Sequence, residues 1–181
     1  MSVQELLEET LSESFELYRR NFIALVLATL AASVLSIFIV TVAPLFFGLY
    51  VMAVKALKGR KPLTGDVFKG FDYFILSWVL FIIVGAMSLA GLIFLIVPGI
   101  AVMVLFQYAV PIALLEKKGA VDSLKRSYKM AVGNLGFSAL LWLILMVLNV
   151  AGGSITFGIL LTQPYSVVAL CLAAKKLLKK K

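Results

Sequence analysis

The chain has 181 residues, of which 62% are hydrophobic and only 14% charged, with a formal net charge of +8 and a mean hydropathy of +1.08. A soluble domain is nearer half apolar with about a quarter of its residues charged, so a water-soluble fold is excluded. One cysteine, Cys171, and no histidine exclude an internal disulfide framework and remove the commonest general base and metal ligand.

All the charged residues fall in four short clusters, at 5–20, 55–72, 116–129 and 175–181. Between them lie charge-free stretches of 34, 43 and 45 residues, at 21–54, 73–115 and 130–174. One helical crossing of the hydrocarbon core takes about 20 apolar residues. Each stretch is too long for one crossing and about right for two. The expected fold is all-α: an integral membrane protein with six transmembrane helices in three hairpins, joined by cytoplasmic amphipathic helices.

The chain opens on Met1-Ser2-Val3-Gln4-Glu5, which reads as an acidic helix rather than a cleavable leader. Over 3–18, Val3, Leu7, Leu11, Phe15 and Tyr18 follow helical spacing on one face, with Glu5, Glu9, Glu13 and Glu16 on much of the rest. The first hairpin follows, its return helix expected over 44–58 from Pro44. A short surface helix is expected over 64–72, capped by Thr64 and weakened by Gly65 and Gly70. The second hairpin turns at Pro98-Gly99 and returns over 98–115, with Gln107 four residues before Pro111. In its outward span, Gly85 and Gly91 permit close helix approach or a bend. An amphipathic helix at 120–131 carries a stripe of Val121, Leu124, Tyr128 and Ala131, with Lys125, Arg126 and Lys129 off it. The third hairpin turns at Pro164 and returns over 164–179. Proline suits the first turn of a helix, where its missing N–H has no partner to lose.

With six spans every cluster lies on one side, and Lys and Arg mark it as cytoplasmic. Both termini are then cytoplasmic and the protein is multi-pass in a cell (inner) membrane. A shared unit of surface helix, span, proline and span divides the single membrane domain into about 1–58, 59–118 and 119–181. Lys55 and Lys175, near the ends of two return helices, are expected to snorkel.

The clusters carry net charges of −3, +3, +3 and +5 along the chain. Arg19, Arg20, Lys58, Arg60, Lys61, Lys117, Lys118, Lys125, Arg126 and Lys129 are candidates for lipid headgroups, at about 1 kcal/mol per basic residue near an anionic surface. A plain orientation signal is the alternative. The acidic first helix is expected to prefer protein partners, its own basic clusters among them. Inside the spans, Gln107, Asn149 and Gln163 read as interhelical glue, with a polar solute path as the alternative. Gly152-Gly153 reads as packing or as a break in the fifth span. Asp66, Asp72, Glu116 and Asp122 sit among lysines and read as a solvated charged face. No catalytic residue, cofactor or metal site is expected.

Ile96-Val97-Pro98-Gly99-Ile100, then Glu116-Lys117-Lys118-Gly119-Ala120, Ser123-Leu124-Lys125-Arg126-Ser127 and Gly133-Asn134 carry a resemblance. Gly48, Lys58-Gly59-Arg60 and Phe68-Lys69-Gly70-Phe71 extend it over most of the chain. The chain resembles a family of small prokaryotic multispan membrane proteins that includes the membrane domain fused to some glycerophosphodiester phosphodiesterases, together with stand-alone relatives. The resemblance implies a helical membrane domain near lipid-related functions and carries over no catalytic residue.

Three functions follow as expectations. The first is a non-enzymatic membrane protein that contacts anionic lipid or glycerophospho compounds at the cytoplasmic face. The second is a small-solute transporter or channel, as a homo-oligomer. The third is an assembly protein that docks a membrane partner. Nucleic acid is not among the expected partners.

Overall fold

A computed structural model describes residues 2–94, 96–155 and 157–179. Met1, Leu95 of the expected middle turn, and Lys180 and Lys181 of the last basic cluster lie outside the described residues. The described residues are all-helical: α1 (Val3–Arg20), α2 (Phe22–Leu35), α3 (Ile39–Leu57), a 3₁₀ helix (Thr64–Tyr73), α4 (Phe74–Phe94), α5 (Ile96–Phe106), α6 (Ala109–Leu115), α7 (Ala120–Gly133), α8 (Leu135–Gly153) and α9 (Ile159–Lys179).

Four segments are long and apolar enough to cross a membrane: Ile39–Leu57, Thr64–Ile93, Ile96–Leu115 and Leu135–Gly153. A fifth arises if α1 and α2, which meet at a bend of 84°, count together. By length and composition the described residues thus hold four to five candidate spans, short of the expected six. The 14 residues of α2 rise about 21 Å, short of a hydrocarbon core of about 30 Å. The 21-residue α9 is long enough, but Gln163, Tyr165, Lys175 and Lys176 lower its hydropathy.

The turns also shift. Pro44 and Pro164 lie inside α3 and α9 rather than at their starts, and Pro98 is the third residue of α5. The first hairpin turns at Ser36–Phe38 instead. Pro44 removes the N–H that would have bonded the Val40 carbonyl. The indole Nε1 of Trp78 donates to that carbonyl at 3.2 Å, so the helix continues upstream of its proline without an orphaned acceptor.

The 3₁₀ helix keeps one face at the surface, with Phe68, Lys69, Phe71 and Asp72 exposed, and buries the other, with Asp66, Val67 and Gly70. It packs backbone to backbone on α3: a methyl group on Gly48 would sit 1.9 Å from the Val67 carbonyl oxygen, and one on Gly70 1.8 Å from that of Pro44. Thr64 is not its cap. The Asp66 carboxylate accepts from the Leu63 N–H at 2.8 Å, and Lys55 and Lys69 pair with it at 2.5 and 2.7 Å. Asp66 is only 5% exposed, so it ties the loop to α3 instead of facing solvent. Lys55 therefore does not snorkel. Lys175 donates to the Leu57 carbonyl at 2.8 Å and so closes the C-terminal end of α3.

The central helix is α9, buried from Ser166 through most of its length. Val167, Val168 and Cys171 join one apolar cluster with α2, α3 and α6. Ala169, Ala173, Ala174 and Leu177 join a second with α1, α7 and α8. Small residues let neighbouring backbones approach closely, which is what holds helices together where lipid competes for apolar contact.

The helix α1 docks on α9 by a face that shares part of the expected stripe, with Tyr18 buried and Leu7 and Leu11 half-buried against the core. Leu6, Thr10, Ser14 and Tyr18 are buried, while Val3 and Phe15 are exposed. Lys176 of α9 sits 3.1 Å from both Glu9 and Glu13, and the Tyr165 hydroxyl donates to the Leu11 carbonyl at 3.3 Å. Likewise α7 buries Ser123, Leu124, Ser127, Met130 and Ala131, and leaves Val121 and Tyr128 exposed. On both helices small hydroxyl residues are buried beside members of the stripe, Tyr18 on α1 and Leu124 and Ala131 on α7. Large apolar side chains instead cover the outside, with Ile37 and Ile93 about four-fifths exposed, at 79% and 81%. A surface of that kind is stable against lipid, not water.

Candidate functional site

The four span-length segments and α9 line a partly open cavity of about 660 Å³, within the range of roughly 300–1,000 Å³ usual for small-molecule sites. Each wall is one face of a helix at 3.6-residue spacing: Ala43, Phe46, Phe47 and Tyr50 on α3, Ser77, Leu80, Phe81, Val84 and Gly85 on α4, and Trp142, Leu145, Met146 and Asn149 on α8. Phe106 and Gln107 come from the junction of α5 and α6, and Gln163, Ser166 and Leu170 from α9. The lining is mostly apolar and aromatic, with no Lys, Arg, Asp or Glu in it.

All three intramembrane polar candidates, Gln107, Asn149 and Gln163, line this one cavity. They come from three different helical segments, and only the tertiary fold brings them together.

The local geometry around Gln107 starts from Pro111. Its missing N–H cannot bond the Gln107 carbonyl, and the helix opens over Gln107-Tyr108 between α5 and α6. The opening is stitched to its neighbours. Ser127 of α7 donates to the Leu105 carbonyl at 2.8 Å and accepts from the Tyr108 N–H at 3.2 Å. The buried Tyr108 hydroxyl donates to Ser138 of α8 at 3.1 Å. Gln107 Nε2 donates to the carbonyls of Val104 and Ser138, at 3.0 and 2.9 Å. The glutamine thus ties the kinked region to α8 while still lining the cavity.

Asn149 Nδ2 donates to the Leu145 carbonyl at 2.8 Å and to Ser166 Oγ at 2.7 Å, joining α8 to α9. Gly152 and Gly153 do not interrupt this helix; they end it. A methyl group on Gly152 would sit 2.3 Å from Thr162 Oγ1, so this glycine permits close packing against α9.

The basic candidates are not gathered in the cavity. Arg19, Lys58, Arg60, Lys61, Lys117, Lys125 and Lys129 are exposed, with no ion pair among the described residues. Arg20 pairs with Glu16, and Lys118 and Arg126 pair with Glu116 at 2.9 and 3.6 Å. No cluster of His, Cys, Asp or Glu among the described residues has the make-up of a metal site.

Sequence reasoning missed Tyr108, Ser127 and Ser138 as the stitches of the kink, and Gly85 as an open stretch of cavity wall. For the first three the signal was Pro111 itself, which opens the helix over Gln107-Tyr108 and leaves nearby backbone groups in need of other partners. No family model, curated protein or solved structure matches the chain.

Proposed function

We propose that this is a non-enzymatic multispan protein of a prokaryotic cell membrane that holds a membrane amphiphile in the cavity between its helices. The exposed lysines and arginines hold its cytoplasmic face on anionic lipid. The observation that carries the reading is the convergence of Gln107, Asn149 and Gln163 on one mostly apolar cavity. Apolar walls suit a hydrocarbon chain, and a few placed polar groups fix one end of it. The resemblance to the membrane domain of the phosphodiesterases points to lipid-related function as well. In the full form of this reading, α2 and α9 complete six crossings in three related units, with both termini in the cytosol. The contact of Glu9 and Glu13 with Lys176 favours an acidic helix that docks on its own chain over one that recruits a foreign partner.

The test uses Trp142, which lines the cavity. With Trp78→Phe, which gives up the bond to the Val40 carbonyl and serves as background only if buried Cys171 stays as slow to alkylate as in the parent, it is the one tryptophan left of the two in the chain. In bilayers containing a small fraction of lipid with brominated acyl chains, its fluorescence is expected to be quenched well beyond what the bulk fraction of brominated chains gives. Quenching in simple proportion to that fraction means no chain enters the cavity.

A second reading, passage of a small solute, is favoured by the same three amides. With no charged side chain in the lining, the solute is neutral, because an isolated charge inside the membrane is costly. Proteoliposomes are then expected to swell faster in glycerol than protein-free vesicles. Swelling no faster than that of protein-free vesicles in glycerol, urea and small sugars rejects it.

A further inference from the structure

We propose that the groove where the 3₁₀ helix joins α4 binds the ammonium headgroup of a membrane lipid, with Asp72 as its counter-ion. This site is separate from the cavity between the helices and does not rest on the reading of that cavity.

The groove has a volume of about 570 Å³ and lies open at the surface. Phe71, Asp72, Tyr73 and Phe74 line it at the junction, and Ile75 and Val79 continue it along the first turns of α4. Position in the chain sets its level in the membrane. Asp72 is the last charge before the charge-free stretch 73–115. Charge is costly in hydrocarbon, so this boundary in the sequence is the boundary between water and lipid, where headgroups lie. Tyrosine is enriched at that level, and Tyr73 stands there between Phe71 and Phe74 on either side. Ile75 is 78% exposed and Val79 is exposed as well, so the groove runs out onto the face of α4 that acyl chains cover.

Asp72 differs from the other acids in having no partner. The chain holds 17 Lys and Arg against nine Asp and Glu. Asp66 pairs with Lys55 and Lys69, Glu116 with Lys118 and Arg126, Glu9 and Glu13 with Lys176, and Glu16 with Arg20. Asp72 makes no ion pair among the described residues and is exposed. Glu8 and Asp122, which also lack an ion pair, do not line this groove.

One carboxylate among aromatic rings selects the kind of cation. A calcium or magnesium ion takes six or more oxygens, and Asp72 is the only carboxylate in the lining. An organic ammonium needs less: charge-assisted hydrogen bonds to the carboxylate and the faces of aromatic rings. Part of the wall is held in advance, because the Tyr73 ring packs on that of Phe47 with centroids 5.3 Å apart. An anionic headgroup would meet the like charge of Asp72. A lipid suits the groove better than a soluble amine, because only a lipid also covers Ile75 and Val79.

The experiment is native mass spectrometry of the full chain in non-ionic detergent, titrated with dioleoyl phosphatidylethanolamine and, separately, with dioleoyl phosphatidylglycerol. The first phosphatidylethanolamine is expected to bind the parent about tenfold more tightly than Asp72→Asn, the advantage of one charge-assisted contact. Phosphatidylglycerol is expected to bind Asp72→Asn at least as tightly as the parent. Parental alkylation of buried Cys171 shows that the variant is folded. Equal binding of phosphatidylethanolamine to parent and variant overturns the proposal. So does an equal loss of both lipids in the variant, which would mean that Asp72 shapes the surface without choosing the headgroup. Ethanolamine in solution that displaces the lipid at comparable concentration overturns the lipid as occupant. None of these measurements involves Trp142, so the reading of the cavity stands or falls separately.

Discussion

Replacing Gly70 by alanine is expected to destabilise the protein by about 3 kcal/mol or more, the upper end of what overpacking costs. The added methyl would sit 1.8 Å from the Pro44 carbonyl oxygen and 2.6 Å from the Gly48 nitrogen. Both atoms are backbone of α3, so no side-chain rotation relieves the clash, and the 3₁₀ helix must lift off. Lifting it also strips Asp66 from Lys55, and breaking a buried pair leaves an unpaired charge. The chain supplies its own reporter. Cys171 is the one cysteine and is fully buried, so a thiol reagent reaches it only when the helices around α9 open. In Gly70→Ala the alkylation rate of Cys171 is expected to rise by about a hundredfold. Gly65→Ala is the control, because a methyl there meets nothing within 4 Å. Equal rates for the two variants would show that the 3₁₀ helix does not rest on α3 as described.

Gly85→Leu is expected to do the reverse: keep the fold and close the site. Gly85 lies in α4 on the cavity wall, and a Cβ added there has no neighbour within 4 Å. A leucine costs the helix nothing, since it is a better helix former than glycine by about 0.8 kcal/mol. Its side chain then takes space that a ligand chain would occupy. One methylene too many in an apolar pocket changes affinity by about 10- to 200-fold, so quenching of Trp142 by a brominated chain is expected to fall at least tenfold. The alkylation rate of Cys171 is expected to stay at or below the parental rate. Retained quenching with an intact fold would place the bound chain somewhere other than the cavity.

The two glycines show how far the sequence could be read. Gly70 stood out as a weak point in a short helix and Gly85 as a place for close approach or bending. Nothing local distinguishes Gly70, which has a carbonyl 1.8 Å from its missing side chain, from Gly85, which has open space. That difference lies in what another helix places opposite.

The same holds for the walls of the cavity. The faces of α3, α4 and α8 each have clean helical spacing. In spans that are apolar all round, however, no contrast between a polar and an apolar side marks which face turns inward. Only Gln107, Asn149 and Gln163 stood out, because polarity inside a charge-free run is visible without a structure. The amphipathic helices were half legible, since Tyr18, Leu124 and Ala131 of their stripes are buried and Val3, Phe15, Val121 and Tyr128 are not. Their apolar stripes were plain, yet Thr10, Ser14, Ser123 and Ser127 took the buried centre, because small hydroxyl residues allow the closer approach of backbones.

What the sequence determined by itself was segmentation. Charge is excluded from hydrocarbon at a cost of several kcal/mol, so the charge-free runs had to be the helices that pair as α2 with α3, α4 with α5 and α8 with α9. The tertiary structure decided where each helix begins, because the Val40 carbonyl that Pro44 frees is satisfied by Trp78, 38 residues away. It also decided that three amides from separate segments share one cavity. Contacts between helices depend on shape and on hydrogen-bond partners remote in the chain, and neither is written in the order of residues along a single apolar span.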